Sequence, residues 1–356
     1  MANINLLTAQ IAHEVDLQRV ASGLGGLSTK HLNAISKYVR ETLLVTETIT
    51  TIKQRNQLIK DISAFMTDEL GVFTTDMTDD LGDIIVEEVG FQASTVATAT
   101  GAKIAEPAID KVIKVIKQKP LVLNGKAIGW DEYIEEYAPN QVKAVSQIIT
   151  AGWSNGETTR LISQQITGTN TINGVMQTSQ RSAYMMARDL VSHQSSSAKS
   201  EVGKENQDVI IGEKAIVTLD SKTSPICQRY GSQDKGGKEW IYKTDGHNFP
   251  RSPFHRFCRT SMSFVLAPEF KEFEAGRTRP AIISGVAVQV DAETNWIDLA
   301  RSNKEFAEIS LGKTKAALLD EMSATEFTKA AYNRLGEAQT IESMRESSKT
   351  IMKLLE

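Results

Sequence analysis

The first 106 residues of the chain contain no proline, and the first proline is Pro107. Because proline breaks the hydrogen-bond ladder of a helix, such a long proline-free segment favours long helices. From Ser28 onward the apolar residues recur mostly at steps of three, four or seven, which is helical periodicity. The sequence therefore predicts one long or two consecutive amphipathic helices over 28–70 and at least one more over 72–118.

The pattern changes after residue 119. A short, extended, glycine-bearing stretch at 120–130 predicts a hairpin or a crossing loop, and helices are expected over 141–153 and about 175–204. Ser154 and Glu157 have the spacing of a capping box, which would open a further helix.

Alternating, β-branched residues at 209–220 predict a strand, and two more strands are expected at 238–243 and 259–267. Helical periodicity returns after residue 295. We therefore predict an α+β, mainly helical chain in which a small β-rich module is flanked by helical regions. The predicted domains are a helical N-terminal region at 1–140, a mixed α+β module at 141–266 and a helical C-terminal region at 267–356.

The composition narrows the class of protein. The chain has 356 residues, 40% of them hydrophobic, and a net charge of −4. No run of about 18 apolar residues occurs, so no membrane-spanning helix is expected, and the first residues do not have the pattern of a signal peptide. Two cysteines do not make a secreted disulfide framework, so we expect the chain to be made in a reducing cytoplasm.

Soft side chains are concentrated in one window of the sequence. Both cysteines, Cys227 and Cys258, and two of the five histidines, His247 and His255, fall within 32 residues. Thiolate and imidazole groups are the ligands that zinc prefers, and four of them make a tetrahedral site. The window predicts a zinc site formed by these four residues, with buried free cysteines and surface histidines as the alternative.

Two catalytic chemistries are also compatible with this window. A cysteine activated by His255, with Asp220 or Asp245 orienting the imidazole, would be a nucleophile. A metal-dependent nuclease could use Asp245, His247, Asn248 and His255. The sequence has no glycine-rich phosphate loop, HExxH helix or GxSxG elbow, so we predict no catalytic residue, no enzymatic activity and no cofactor other than the candidate zinc ion.

A structural role explains the stretch around the first cysteine more simply. Asp220 can accept hydrogen bonds from the following backbone amides, and Thr223 and Ser224 can add their own. Pro225 stiffens the exit from this turn, and Arg259 is expected to pair with Asp220. These residues are predicted to be a folding device.

The same window is basic. Between residues 220 and 259 there are eight basic and four acidic residues, a net charge of +4 in a chain that is acidic as a whole. Such a surface is either a solvated loop face or a contact for phosphate or an acidic partner. Lys238, Arg251 and Arg256 are the candidate contact residues.

The stretches Thr218–Cys227, TLDSKTSPIC, and Pro253–Thr260, PFHRFCRT, resemble the Mu F-like domain of phage head morphogenesis proteins, also called minor capsid proteins. Gly152 to Glu157, Ala187 to Leu190 and several short blocks between 295 and 327 are similar to further parts of that family. The likeness covers about 28–345, with sharp motifs at 150–330. Three positions depart from the family pattern: Lys222 stands for an arginine, Thr260 for a second cysteine, and Asp189 for a Thr-Glu pair.

This resemblance implies a structural function. Members of the family are low-copy head components that associate with the portal vertex and are carried in the virion. The expected partners are the portal protein, the major capsid or scaffolding protein, and the packaged DNA, and the N-terminal helices are expected to pack on the portal. The alternatives are a Cys/His hydrolase or metal nuclease acting during DNA delivery, and a zinc-stapled effector that binds a host protein.

Overall fold

The computed structural model describes residues 5–46, 49–123, 126–231, 240–241, 251–273, 278–333 and 335–356. These residues form a mainly helical chain with three small antiparallel sheets, which confirms the predicted α+β class. None of the helices in these ranges has the length and apolar character needed to cross a membrane.

Two very long helices begin the chain, α1 (Leu6–Val45) and α2 (Ile52–Thr100). The Asn5 side chain caps α1, and Thr51 forms a capping box with Gln54 at the start of α2. At a rise of 1.5 Å per residue the two helices are about 60 and 75 Å long. A shorter helix, α3 (Ile109–Gln118), follows.

The predicted start at Ser28 is wrong, because α1 runs without interruption through the glycine-rich stretch at 23–26. Ser28 lies inside the helix, where its hydroxyl donates to the Gly25 carbonyl at 2.6 Å. A Cβ atom at Gly25 would lie 2.7 Å from the Cα of Tyr184, so glycine allows two helices to approach closely at this point.

The middle of the chain adds a hairpin and four helices. Strands β1 (Leu121–Leu123) and β2 (Lys126–Ile128) pair antiparallel, as expected for 120–130. The helices are α4 (Trp130–Glu135), α5 (Tyr137–Ser154), α6 (Thr159–Thr167) and α7 (Val175–Glu205). The predicted capping box is wrong: Ser154 ends α5, and Thr158 caps α6 by accepting from the Leu161 amide at 3.2 Å.

The three predicted strands of the module are present. Strands β3 (Ile210–Ile216), β4 (Trp240–Ile241) and β5 (Ser261–Leu266) form an antiparallel sheet in the order β4-β3-β5. A short helix, α8 (Pro225–Tyr230), follows the turn after β3. This turn and the segment before β5 contain the motif residues.

The described residues of the C-terminal region form a 3-10 helix, a hairpin and six short helices; the helices from residue 296 onward agree with the prediction, whereas the hairpin departs from a purely helical region. The 3-10 helix is Pro268–Phe273, and the hairpin strands are β6 (Thr278–Ile283) and β7 (Val286–Asp291). The helices are α9 (Trp296–Ser302), α10 (Lys304–Leu311), α11 (Lys313–Glu321), α12 (Ala324–Ala331), α13 (Ile341–Ser347) and α14 (Lys349–Leu354).

The described residues form two large hydrophobic clusters. The first, which we call the bundle core, joins helices α1 to α7 with Ile210, Phe264 and Leu266 of the sheet. The second, which we call the motif core, begins at Val217 and includes both cysteines and the C-terminal helices. The apolar contacts therefore do not separate residues 1–140 from 141–205, since α7 packs on α1 and α2. The three-domain division stays a prediction.

Candidate metal centre

The turn after β3 is closed by side chains onto its own backbone. The Thr223 hydroxyl donates to the Thr218 carbonyl at 2.5 Å and lies 3.0 Å from Asp220 Oδ1, which also accepts from the Lys222 amide at 3.0 Å. Ser224 is the N-cap of α8 and Pro225 occupies its first turn, where the missing amide hydrogen costs nothing. The predicted folding role of this turn therefore agrees with the geometry, with the addition of the short helix.

Arg259 pairs with Asp220, as predicted from the sequence. Its Nη1 and Nη2 atoms donate to the two carboxylate oxygens at 2.5 and 2.9 Å, so the pair is bidentate. Burial alone would raise the pKa of Asp220, but the hydrogen bonds and charge of Arg259 outweigh it and hold this pKa below its usual range. The indole Nε1 of Trp296 donates to the Asp220 carbonyl at 3.1 Å and so attaches α9 to the turn.

The two cysteines and His255 meet beside this turn. The Sγ atoms of Cys227 and Cys258 are 3.7 Å apart, and His255 Nε2 lies 3.2 Å from Cys227 Sγ. One ligand atom from each of the three residues falls within 4.8 Å of the other two. Both cysteines are free and buried, with relative exposures of 3% and 5%. In the part of the chain that the structure describes, this is the one cluster of three such residues.

The electrostatics of the cluster favour one thiolate beside the imidazole. Burial would raise the pKa of Cys258, but hydrogen bonds from Cys227 and His255 lower it well below its usual range. The pKa of Cys227 is raised by its hydrogen bond to Cys258 and by burial. Burial would lower the pKa of His255, yet its contacts with Cys258 raise it. The arrangement can act as a thiolate–imidazolium pair or as a set of soft metal ligands.

A covalent reaction would need a path for a substrate to a sulfur atom. Neither cysteine lines the cavity of about 290 Å³ beside the turn, which is bounded by Thr223, Ser224 and Pro225 and by residues of the C-terminal helices. The sulfur atoms instead face the motif core. Their burial favours a structural role over nucleophilic chemistry.

Asp189 of α7 attaches the Cys/His loop to the helices. Its Oδ1 accepts from the Phe257 amide at 3.1 Å, at a residue with a left-handed φ of 58°, and its Oδ2 accepts from the Tyr133 hydroxyl at 3.2 Å. Burial raises the pKa of Asp189 to about 6, against the opposing effect of these hydrogen bonds. The sequence pointed to Asp189 only as part of a short block, because its loop partner is 68 residues away.

The candidate contact residues divide into three cases. Arg251 donates from Nε to Glu213 Oε2 at 2.8 Å, and its side chain is only 11% exposed, so it is engaged inside the protein and offers little surface to DNA or a partner. Arg256 is exposed and lies against the Tyr133 ring with its guanidinium carbon 5.5 Å from the ring centroid. Lys238 lies outside the described residues, so its predicted contact role stays a prediction. His247, the fourth predicted zinc ligand, and Asp245 and Asn248 of the nuclease alternative also lie outside them.

A buried charged network, which we did not predict from the sequence, joins the bundle core to the sheet. The Lys199 ammonium donates to the Met262 carbonyl at 2.6 Å, and attraction to Glu88, Glu14 and Glu213 opposes the fall in its pKa that burial causes. Glu88 also contacts His13 at 2.6 Å.

No protein-family model, curated protein or solved structure matches this chain.

Proposed function

We propose that this chain is a minor head protein of a phage, a low-copy structural component that associates with the portal vertex and assists head assembly. The proposal rests on the resemblance of the stretches 218–227 and 253–260 to the Mu F-like domain. The expected partners remain the portal protein, the capsid or scaffolding protein and the packaged DNA.

The convergence of separate sequence blocks is the observation that carries this proposal. Asp189, the turn at Asp220, the loop of His255 and Cys258, and Trp296 come from four blocks that resemble the family, and they are connected by direct hydrogen bonds. Motif residues that are distant in the sequence but contact one another in the fold form one structural unit. The Gly152 block lies elsewhere, at the corner between α5 and α6.

The contacts within this structural unit favour a structural role over an enzymatic role. Both oxygens of Asp220 are occupied by Arg259, Thr223 and a backbone amide. The two thiols are buried, and Phe257 is tied to Asp189. Groups that are engaged with each other in this way hold the fold together and are less available to a substrate.

The exposed end of the α1–α2 pair is a suitable contact for the portal. Leu44, Val45 and Ile52 are 76%, 86% and 58% exposed, and we call these three residues the hairpin tip. Large apolar side chains that stand together in solvent commonly mark an interaction surface. Helices α1 and α2 also pack on each other and on α5, α6 and α7, so removal of the whole segment would destroy the bundle core and would not test the contact.

The assembly proposal can be tested on particles of the source phage. Quantitative mass spectrometry should find the chain in procapsids and virions at a copy number comparable to that of the portal protein and far below that of the major capsid protein. Absence from both particles, with free protein in infected cells, would contradict the proposal.

The tip contact needs its own variants. Leu44→Asp with Val45→Asp should reduce co-purification with the co-expressed portal protein, because a charge on the tip must be desolvated on binding. Val86→Asp is the matched control, since Val86 is 51% exposed on the side of α2, away from the tip. Equal portal binding by the tip variant and wild type would exclude the tip as the contact.

A Cys/His enzyme is the second candidate, favoured by the 3.2 Å contact between Cys227 Sγ and His255 Nε2. A Cys227→Ala chain that assembles into normal particles that fail to deliver DNA would favour this candidate. Particles of normal infectivity would exclude Cys227 as the nucleophile.

A further inference from the structure

We propose that Cys227, His255 and Cys258 bind one zinc ion, which fastens α8 to the loop that precedes β5. The inference stands on the geometry of three side chains and does not depend on the proposed role in a phage head. It also replaces the four-residue set expected from the sequence with the three ligands whose positions the structure describes.

The distances between the ligand atoms fit a tetrahedral ion. Bonds of 2.3 Å to sulfur and about 2.0 Å to nitrogen place two sulfurs about 3.8 Å apart and a sulfur about 3.5 Å from a nitrogen. The observed separations are 3.7 Å between the two Sγ atoms and 3.2 Å between Cys227 Sγ and His255 Nε2. The ligand atoms of Cys258 and His255 also lie within 4.8 Å of each other, so small shifts of the imidazole ring would admit the ion.

The imidazole ring is held in the orientation that a metal ligand requires. His255 Nδ1 lies 2.7 Å from the Arg256 carbonyl oxygen, which can only accept, so Nδ1 carries the proton and donates it there. In the neutral ring Nε2 is then left with a lone pair, and this atom faces the sulfurs. Metal-binding histidines commonly have such a backbone partner on the other nitrogen.

Both thiols are buried, and burial opposes the negative charge of a thiolate. A divalent cation offsets that cost, because it allows both buried thiols to ionise. Two thiolates and one imidazole select zinc over hard cations such as Mg²⁺ and Ca²⁺, which prefer oxygen ligands.

The three ligands connect α8 and the loop before β5, which also meet through the stacked rings of Tyr230 and Phe254. Cys227 lies in the first turns of α8, whereas His255 and Cys258 flank the residue at left-handed φ that Asp189 holds. A tetrahedral ion has a fourth coordination position, which an oxygen ligand would fill. The Ser224 hydroxyl oxygen is close by, 2.7 Å from His255 Nε2. A bound ion would hold together Cys227 and His255, which are 28 residues apart in the sequence.

The first experiment measures metal in the full chain. Wild-type protein, purified under reducing conditions from zinc-supplemented cells, should retain about one zinc ion per chain by elemental mass spectrometry. Cys258→Ser and His255→Asn should each lower the bound zinc at least tenfold. His13→Asn is the matched control, because His13 is also partly buried and hydrogen-bonded but has no cysteine beside it; it should retain the zinc.

A second measurement covers the case in which the ligand variants fail to fold. Wild-type chain stripped by a chelator and loaded with Co²⁺ should show a sulfur-to-cobalt charge-transfer band and the visible bands of tetrahedral cobalt, and added zinc should abolish both. A folded wild-type chain with two titratable thiols and no cobalt bands would overturn the proposal. A Cys227–Cys258 disulfide in freshly reduced, metal-supplemented protein would overturn it as well.

Discussion

The bundle core and the motif core are stabilised in different ways. In α2 the bundle core is a stripe of fully buried apolar side chains at steps of three and four: Ile62, Met66, Leu70, Phe73, Met77 and Leu81. The motif core has short helices, and its loops are held by Asp220, Arg259 and the Cys/His cluster. Apolar packing in the bundle core is spread over seven helices, whereas the motif core combines buried apolar side chains with polar contacts that each fasten one loop.

The largest effect is expected in the bundle core. Phe73→Ala should lower the free energy of unfolding by about 4 kcal/mol, because Phe73 is fully buried and its removal leaves a cavity. Urea unfolding measures the change. Phe73→Leu leaves a smaller cavity and should lower the free energy of unfolding clearly less. Equal losses for the two variants would mean that the surrounding side chains close the cavity and that the bundle is loosely packed.

The charged network gives the next prediction. Burial raises the pKa of Glu14 from 4.5 to about 7, against the opposing charge of Lys199. The carboxyl group of Glu14 therefore holds its proton more tightly in the folded chain than in the unfolded chain. The resulting stabilisation is complete below pH 4.5 and is lost as the pH rises through about 7.

Glu14→Gln should remove this pH dependence and stabilise the chain at pH 8 by at most about 3 kcal/mol relative to wild type. The measurement is urea unfolding at several pH values between 4.5 and 8. Glu41→Gln, at an exposed position of α1, should leave the profile unchanged. A wild-type stability that rises over this range in parallel with that of Glu14→Gln would contradict the assignment.

The motif core should respond to loss of its ion pair. Arg259→Ala leaves the buried Asp220 without its bidentate partner and should cost about 2 kcal/mol, less than a fully buried pair because Arg259 is one-third exposed. Arg301→Ala, an exposed arginine of α9, is the control and should change stability little. If both variants unfold at the same urea concentration, the Asp220 turn does not depend on its ion pair.

The smallest effect on stability is expected for substitution of the exposed Arg256. Arg256→Gln should leave stability nearly unchanged, because the side chain is exposed. If the chain contacts DNA here, the slope of log affinity against log salt should fall by about 1. Arg251→Gln, whose arginine is paired with Glu213, should leave that slope as it is; a reduced slope in this variant alone would contradict the division between the two arginines.

Local signals predicted much of this fold. Apolar periodicity and the absence of proline predicted the helical character of the first part of the chain, although the predicted boundary at 70–72 lies inside α2. Alternation predicted the three strands of the module. The Asp220–Arg259 pair was also predictable, because both residues belong to short motifs with known turn chemistry. The beginning of α1 was not, because the tolerance of Gly25 within the helix depends on its contact with Tyr184 of α7.

The unpredicted parts of the site all depend on distant contacts. Asp189 holds the Phe257 amide, Lys199 reaches the Met262 carbonyl, and Arg251 pairs with Glu213. No local pattern tells a buried lysine or arginine from a solvated one, so the sequence assigned Arg251 to the surface. The tertiary arrangement of α7 against the sheet decides these pairings.

Hydrogen exchange of the full chain, with zinc bound and after chelation, tests most directly whether the Cys/His cluster fastens the motif core. We predict that chelation accelerates exchange in α8 and in the described loop from Arg251 to Thr260, while α1 and α2 keep their protection. Unchanged protection of α8 after verified removal of the metal, or an equal loss throughout the bundle, would contradict the account.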